Sequence, residues 1–413
     1  MKMGLLEILR CPFCGGRLRL SRHAFLEVQE GAVAHGTLSC PCCAYPVVAG
    51  IPYLRDDASA QAAMGLLDKG EKDKALFTLL GLEGSARARF KGLLKKEPTL
   101  TYRQAFHLLC REAGRRYFFY RFSDPTFFCS QAVVRAVAQD RRCLAKRVLD
   151  LCGDTGHLTR CLVRLAGGAE VILANISFWE LWLAKRFLAP PCQPVCCDAN
   201  KPLPFARETF SLVLCSDAFH YIWQKRLLAG EMMRLAGDGG AVVLTHLHNA
   251  LCENEAAEMP LAPGHYRDLF EGSDARLFRE TDVVKALLAR RPLDLSAGPP
   301  DEALARENAL VLLATRRPEL FRVYDCPPPG DRTGTLAVNP LYRLRKAGQR
   351  SWLQLRFPSP GLREEYARYN FFPPEEVEWD GGLPQGWPAG RVNGRLRELM
   401  ERYVLLDLPE NYL

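Results

Sequence analysis

Val148-Leu149-Asp150-Leu151-Cys152-Gly153-Asp154-Thr155-Gly156-His157-Leu158-Thr159 is a β-rich run that passes through a glycine-containing turn into a helical pattern. In an α/β sheet, a nucleotide-like ligand sits beyond the carboxyl end of the first strand, where the next helix presents unpaired N–H groups. Working outward from this turn, short β-rich runs alternate with helical ones: KRVLDLC, AEVILANI, QPVCC, FSLVLCS, GAVVLTHL and NALVLLATR. This alternation predicts a parallel sheet covered by helices.

The flanking segments have different patterns. Residues 1–56 are rich in Gly, Cys and β-formers. Residues 57–140 carry helical apolar spacing (AMGLLDKGEKDKALFTLLGL, TYRQAFHLLCREAG, FCSQAVVRAVAQ), broken at Glu97-Pro98 and Ser123-Asp124-Pro125, and predict a helical linker or lid. Residues 141–322 hold the α/β alternation. Residues 323–413 are interrupted by Pro and Gly, show no clear period before a closing helical RVNGRLRELMERYVLL, and predict a small accessory region.

Composition narrows the classes further. A 413-residue chain that is 48% hydrophobic and 25% charged is globular. No apolar run approaches the ~18 residues of a membrane span, and the opening MKMGLLEILR reaches Cys11 before a secretory core develops, so the expected location is cytoplasmic, with no membrane partner. The net charge of +8 is scattered among RARFKGLLKK, REAGRRYFFYRF and LARRP; it permits acidic substrates without demanding them.

Most of the sixteen cysteines sit singly in apolar runs, where a thiol behaves as a small hydrophobe. The first group differs. Cys11-Pro12-Phe13-Cys14-Gly15-Gly16 and Cys40-Pro41-Cys42-Cys43 supply two C-x-x-C pairs, the pattern of two knuckles closing one tetrahedral zinc site. The expected ligands are Cys11, Cys14, Cys40 and Cys43, with Cys42 a bystander. Four thiolates leave no open position, so the zinc would be structural. The alternative is a set of buried or disulfide-paired thiols.

LLEILRCPFCGGRL and GTLSCPCCAYPVVAGIPYL, with Tyr45-Pro46 and Gly50-Ile51-Pro52, resemble the zinc-ribbon activator subunit of tRNA and protein methyltransferases over about the first 54 residues. Residues 130 to 322 resemble class I S-adenosylmethionine-dependent methyltransferases. Val148–Thr159 is similar to their motif I, Ala169–Phe187 to the second strand and helix, Cys197-Asp198-Ala199 to the adenine corner, Pro204–His220 to the run into strand four, and Glu231–Leu247 to the helix, turn and strand five. The resemblance implies a Rossmann-like fold and S-adenosyl-L-methionine held by Asp150, Cys152, Gly153, Asp154, Gly156, Asn175, Ile176, Asp198, Ala199 and Ser216. It also implies a protein partner or partner domain for the ribbon.

Two departures bear on cofactor binding. Cys152 and Asp154 stand where the family places glycine, and the Asp154 carboxylate would either repel the methionine carboxylate by about 4 kcal/mol at 4 Å or attract the cofactor's cationic groups. Asn175 replaces the usual acidic ribose-binding residue; it could instead cap a helix that begins near Phe178.

For chemistry, His220 is the candidate general base, as an imidazole titrating near neutrality, with Tyr221 beside it; the alternative is a packed histidine. His246 and His248 alternate on a strand end and could form a metal pair, with no third ligand visible. The Tyr117, Phe118, Phe119, Tyr120, Phe122, Phe127 and Phe128 cluster, with Arg115, Arg116 and Arg121, reads as helix-to-sheet core, or as a lid or base-stacking platform. The expected function is methyl transfer to oxygen or nitrogen of a small-molecule acceptor, the helical zone forming a lid and the tail completing the pocket. The alternatives are RNA base methylation and a non-catalytic scaffold.

Overall fold

The computed structural model describes residues 1–21, 24–95, 99–110, 113–253, 259–326, 333–379, 387–392 and 394–413; the side chains of residues 113–117, and so the Arg115, Arg116 and Tyr117 part of the aromatic cluster, lie outside the description, as does the Glu97-Pro98 breaker.

The ribbon opens with helix α1 (Leu5–Ile8) and strands β1 (Arg19–Leu20), β2 (Glu27–Gln29), β3 (Ala32–Ser39), β4 (Ala44–Val48) and β5 (Ile51–Pro52). β3 and β4 are antiparallel, and Ala49-Gly50, both at positive φ, make the tight turn from β4 to β5. Gly50 is required there, since a Cβ would stand 2.8 Å from the Met1 nitrogen.

Five helices follow: α2 (Ala58–Asp68), α3 (Lys72–Leu79), α4 (Gly84–Leu94), α5 (Tyr102–Leu109) and α6 (Pro125–Val137). Their starts are legible in sequence. Asp57 caps α2 through the Ala60 N–H, Thr101 and Gln104 form a capping box on α5, and Asp124 caps α6 ahead of Pro125 at the first turn. α6 is buried around nearly its whole circumference against the central sheet, so it is a covering helix of that sheet rather than part of a lid.

The sheet is built from β6 (Arg147–Leu151), β7 (Val171–Asn175), β8 (Gln193–Cys196), β9 (Phe210–Ser216), β10 (Ala241–His248) and β11 (Asp274–Arg279), with helices α7 (His157–Leu165), α8 (Phe178–Leu183), α9 (Lys225–Ala236), α10 (Pro263–Asp268) and α11 (Glu280–Leu288) between or after them. Beyond β12 (Leu293–Asp294) and α12 (Asp301–Leu304), β13 (Ala309–Thr315) returns to it. The order is β11-β13-β10-β9-β6-β7-β8. β6 to β10 are parallel, as the apolar runs predict, but β13 is antiparallel to both β10 and β11. The wholly parallel expectation is corrected there. The edge strand β11 is not among the predicted runs, because DARLFR is too polar to read as a buried strand and only Leu277 and Phe278 in it are buried.

The ribbon and the sheet are continuous. Tyr53 bridges Cys196 in parallel beyond β8, Leu54 N–H donates to the Cys196 carbonyl at 2.8 Å, and Arg10 N–H donates to the Pro204 carbonyl at 2.9 Å. Leu5, Leu9, Val47 and Leu54 share one apolar core with Val195, Phe205 and Val213.

The last region folds as β14 (Val323–Tyr324), β15 (Thr335–Val338), β16 (Tyr342–Ala347), β17 (Arg350–Leu355), α13 (Pro360–Arg368), β18 (Glu376–Glu378), α14 (Gly394–Glu401) and β19 (Leu405–Leu408). It has a small core of its own around Leu336, Leu353, Trp379 and Leu405. It also reaches back: Arg160 of α7 pairs with Asp407 of β19 at 3.1 Å, and Tyr412 stacks on Tyr102 at 4.8 Å. Among the described residues, no helix is long and apolar enough to cross a membrane.

Candidate active site and candidate metal centre

The turn after β6 keeps the backbone shape that glycines would favour. Cys152, Asp154 and Gly156 all lie at positive φ (58°, 48° and 85°), so two non-glycine residues occupy left-handed conformations at alternate positions. Gly153 cannot be replaced, because a Cβ would come within 2.6 Å of the Asp150 carboxyl and 2.7 Å of Leu173. The Cys152 thiol turns toward Cys215 of β9. Asp150 is fully buried; burial lifts its pKa to about 7, one oxygen accepts from the Thr159 hydroxyl at 2.6 Å, and Oδ1 has no hydrogen-bond partner within the chain.

Because Asp154 holds a conformation that costs an L-residue about 1 kcal/mol, Asp154→Gly is expected to raise the unfolding free energy by roughly 0.5–1 kcal/mol. Asp154→Ala should lower it. Urea denaturation of both variants checks the sign.

The remaining predicted cofactor positions gather at the same carboxyl ends. Asn175 is buried at the end of β7 and donates from Nδ2 to Glu180 at 2.6 Å. α8 does begin at Phe178, but its cap position is Ser177, so Asn175 is tied to Glu180 rather than to the helix N–H groups. Ile176 is exposed and its carbonyl accepts from Arg55 at 2.8 Å. Asp198 accepts the Asn200 N–H in a turn, Ala199 is buried, and Ser216 shares hydroxyl hydrogen bonds with Ser130 and Thr245. The left-handed turn and the unpartnered Asp150 oxygen beside it fit a nucleoside cofactor.

Beyond β9 and β10 lies a cavity of about 410 Å³ lined by Arg121, Asp217, His220, His246 and His248, and closed by Glu365 and Arg368 of α13. Its lining combines the sheet with the accessory region. His246 owes its placement to a bulge, where the register with β13 shifts between Leu244 and Leu247. Both Asp217 and His246 are at positive φ (53° and 54°). His246 Nδ1 lies 3.0 Å from fully buried Glu280, which also accepts the Tyr369 hydroxyl at 2.6 Å, and its Nε2 lies 3.8 Å from Asp217 Oδ1. Burial lowers the His246 pKa, but Glu280 and Asp217 outweigh it and lift the group to about 10.

His220 is only 1% exposed, its ring stacked on His248 at 4.2 Å. Burial takes its pKa down to about 3 and that of His248 to about 4, so the expectation of an imidazole titrating near neutrality is corrected. Tyr221 is exposed, its ring 4.3 Å from that of His220. Phe118, Phe119, Phe122, Phe127 and Phe128 are buried as core, while Tyr120 lines the cavity.

In the ribbon, the sulfurs of Cys11, Cys14, Cys40 and Cys42 lie within 4.8 Å of one another, with Cys40 and Cys42 at 3.3 Å and Cys11 and Cys42 at 3.8 Å. Sulfurs bound at ~2.3 Å around one tetrahedral zinc stand about 3.8 Å apart, so the donor set fits that ion. Cys43 lies 3.5 Å from Cys42. Cys42 is therefore inside the cluster rather than a bystander. Gly15, at φ 70°, makes the turn that returns its N–H to Cys11. Burial raises the Cys11 pKa, but hydrogen bonds from Tyr45 and the Cys14 and Phe13 backbone bring it below the ordinary thiol value.

Glu280, Tyr369, Glu365 and Arg368 escaped sequence reading. Glu280 begins a helix after an unpredicted strand and the others belong to a Pro-interrupted region, so only tertiary packing brings them here.

Two segments define the class as an enzyme with a methyltransferase domain behind a cysteine ribbon. Residues 148–240 match the family model described as a methyltransferase domain, and residues 2–50 match the model described as Trm112p-like protein. No curated protein matches the chain. Among solved structures, it is similar to an S-adenosylmethionine-dependent methyltransferase from Aquifex aeolicus (14% identity, 41% of this chain and 81% of that one, TM-score 0.31). It is also similar to one from Thermotoga maritima (14%, 52% and 100%, TM-score 0.34) and to a chain of the complex between the Haloferax volcanii Trm112 methyltransferase activator and a methyltransferase (16%, 46% and 93%, TM-score 0.32). The class rests on the two family matches.

Proposed function

We propose that this chain transfers a methyl group from S-adenosyl-L-methionine to an oxygen or nitrogen of a small-molecule acceptor held in the cavity beyond β9 and β10. The observation that carries the reading is that cavity. Its volume of about 410 Å³ suits a small ligand, and it opens at the strand ends that also present the turn after β6. Arg121 in its lining is already paired with Asp124 and Asp217, and Glu364 stands beside Arg368, so the cavity offers no excess of positive charge to a polyanion such as RNA.

Bound cofactor supplies an electrophilic methyl on a sulfonium. Asp150, Cys152, Gly153, Asp154 and Gly156 would hold its amino-acid end, Asn175 and Ile176 the ribose edge, and Asp198, Ala199 and Ser216 the base and the inner wall. His220, neutral at physiological pH, orients the acceptor by accepting its hydrogen bond; with so low a basicity it is a poor store for a full proton. Tyr221 flanks the entrance. Catalysis is then chiefly alignment of nucleophile and methyl.

The ribbon holds a structural zinc through Cys11, Cys14, Cys40 and a fourth thiolate from Cys42 or Cys43, and it serves the sheet beside it as an in-chain partner. Sixteen cysteines, none in a disulfide, accord with a reducing, cytoplasmic setting. Calorimetric titration with S-adenosylmethionine and S-adenosylhomocysteine is expected to give saturable micromolar binding. Absence of heat at millimolar ligand would favour a scaffold without cofactor.

A further inference from the structure

We propose that Asp217, His246 and His248 form a site for one divalent first-row metal ion in the acceptor cavity, separate from the ribbon's zinc. The inference rests on the reading of that cavity as the acceptor site. One donor atom from each of the three residues lies within 4.8 Å of the other two. Two histidines and one carboxylate on one side of a partly open cavity are the donor set of sites that keep positions for exogenous ligands.

The surroundings are those of a metal site. Glu280 and His246 Nδ1 form a buried pair, which directs Nε2 toward Asp217. A carboxylate behind a histidine fixes its tautomer and strengthens it as a ligand, and the Tyr369 hydroxyl on Glu280 extends that support by one more shell. Arg121 takes Asp217 Oδ2 at 2.9 Å, so Oδ1 is the oxygen that faces His246. Nε2 and Oδ1 lie 3.8 Å apart, too far for a hydrogen bond and close to the separation of two donors on one ion, which on binding would take the place of the Nε2 proton.

The backbone adds an independent sign. Asp217 and His246 both adopt left-handed conformations, and a strand bulge re-aims His246. Such conformations are costly for non-glycine residues and gather where side chains must converge. Arg121 and Arg368 also face the cavity, against Asp124, Asp217 and Glu364 in its lining and Glu280 buried behind His246, while burial and Asp124 lift the Glu365 pKa to about 9.

The test uses the zinc-loaded full-length chain titrated with manganese(II) chloride, following loss of the free-ion electron paramagnetic resonance signal. One manganese per chain is expected. His248→Asn should weaken binding at least about tenfold, and Glu280→Gln, which touches no ion, by roughly 10- to 100-fold. Circular dichroism verifies that each variant is folded. Should a variant fail to fold, broadening of the His246 and His248 imidazole resonances by manganese in the unsubstituted protein decides the matter. No binding at millimolar manganese, or binding equal in all three folded proteins, overturns the site. S-adenosylhomocysteine calorimetry on the same preparation separates the two readings: cofactor binding without manganese binding removes the metal site alone.

Discussion

Loss of the ribbon's metal is expected to unfold far more than the ribbon. Cys11 is buried in an apolar core that continues from Leu5, Leu9 and Val47 into Val195, Phe205 and Val213 of the sheet. Backbone hydrogen bonds from Arg10 to Pro204, Ala206 to Ile8 and Leu54 to Cys196 join the same two parts. A thiolate zinc site is worth about 10–16 kcal/mol to a small ribbon, as much as the whole net stability of an ordinary domain. Cys11→Ser, or prolonged chelation, should therefore lower the thermal midpoint of the entire chain by tens of degrees and expose the edge of β8. Hydrogen exchange checks this at the amides of Cys196, Phe205 and Ala206. If protection of the α/β region is unchanged after zinc release, the ribbon is an appended module and the shared core contributes little.

The second large effect is expected at the join between α7 and the accessory region. The Arg160 and Asp407 side chains are both only 4% exposed, and Asp407 also accepts the Gly334 and Thr333 N–H groups at 2.7 and 3.2 Å. Removing one partner of a buried pair leaves the other charge desolvated, at about 3–5 kcal/mol. Asp407→Ala should lower the urea unfolding free energy by that amount. Because β19 leads into Tyr412, which bonds His157 at 3.0 Å and stacks on Tyr102, the variant should also weaken S-adenosylhomocysteine binding through the loosened start of α7. Arg160→Met with Asp407→Leu removes both charges and should recover much of the stability. A loss below about 1 kcal/mol in Asp407→Ala would mean that water reaches the pair.

How far each part was readable follows from how local its cause is. The five parallel strands, the caps at Asp57, Thr101 and Asp124, and the turn at Gly156 depend on residues adjacent in the chain, so pattern alone exposes them. The edge strand Asp274–Arg279 was invisible because only Leu277 and Phe278 of it are buried, and the direction of Ala309–Thr315 is set by which neighbour it joins. His246 and His248 were recognisable as a same-face pair. Asp217 and Glu280 reach them from 29 and 34 residues away from His246, through a bulge no spacing rule describes.

The sequence by itself determined the α/β sheet, the thiol cluster and the strand-to-helix turn after Leu151, because apolar period, knuckle spacing and glycine placement act over a few neighbouring residues. Only the tertiary structure decided that Cys42 stands within the thiol group, that His220 is buried against His248, and that the carboxyl-terminal region lines the cavity beyond β9 and β10. Those outcomes depend on burial and on long-range packing, which fix a side chain's charge and partners only after distant segments have met.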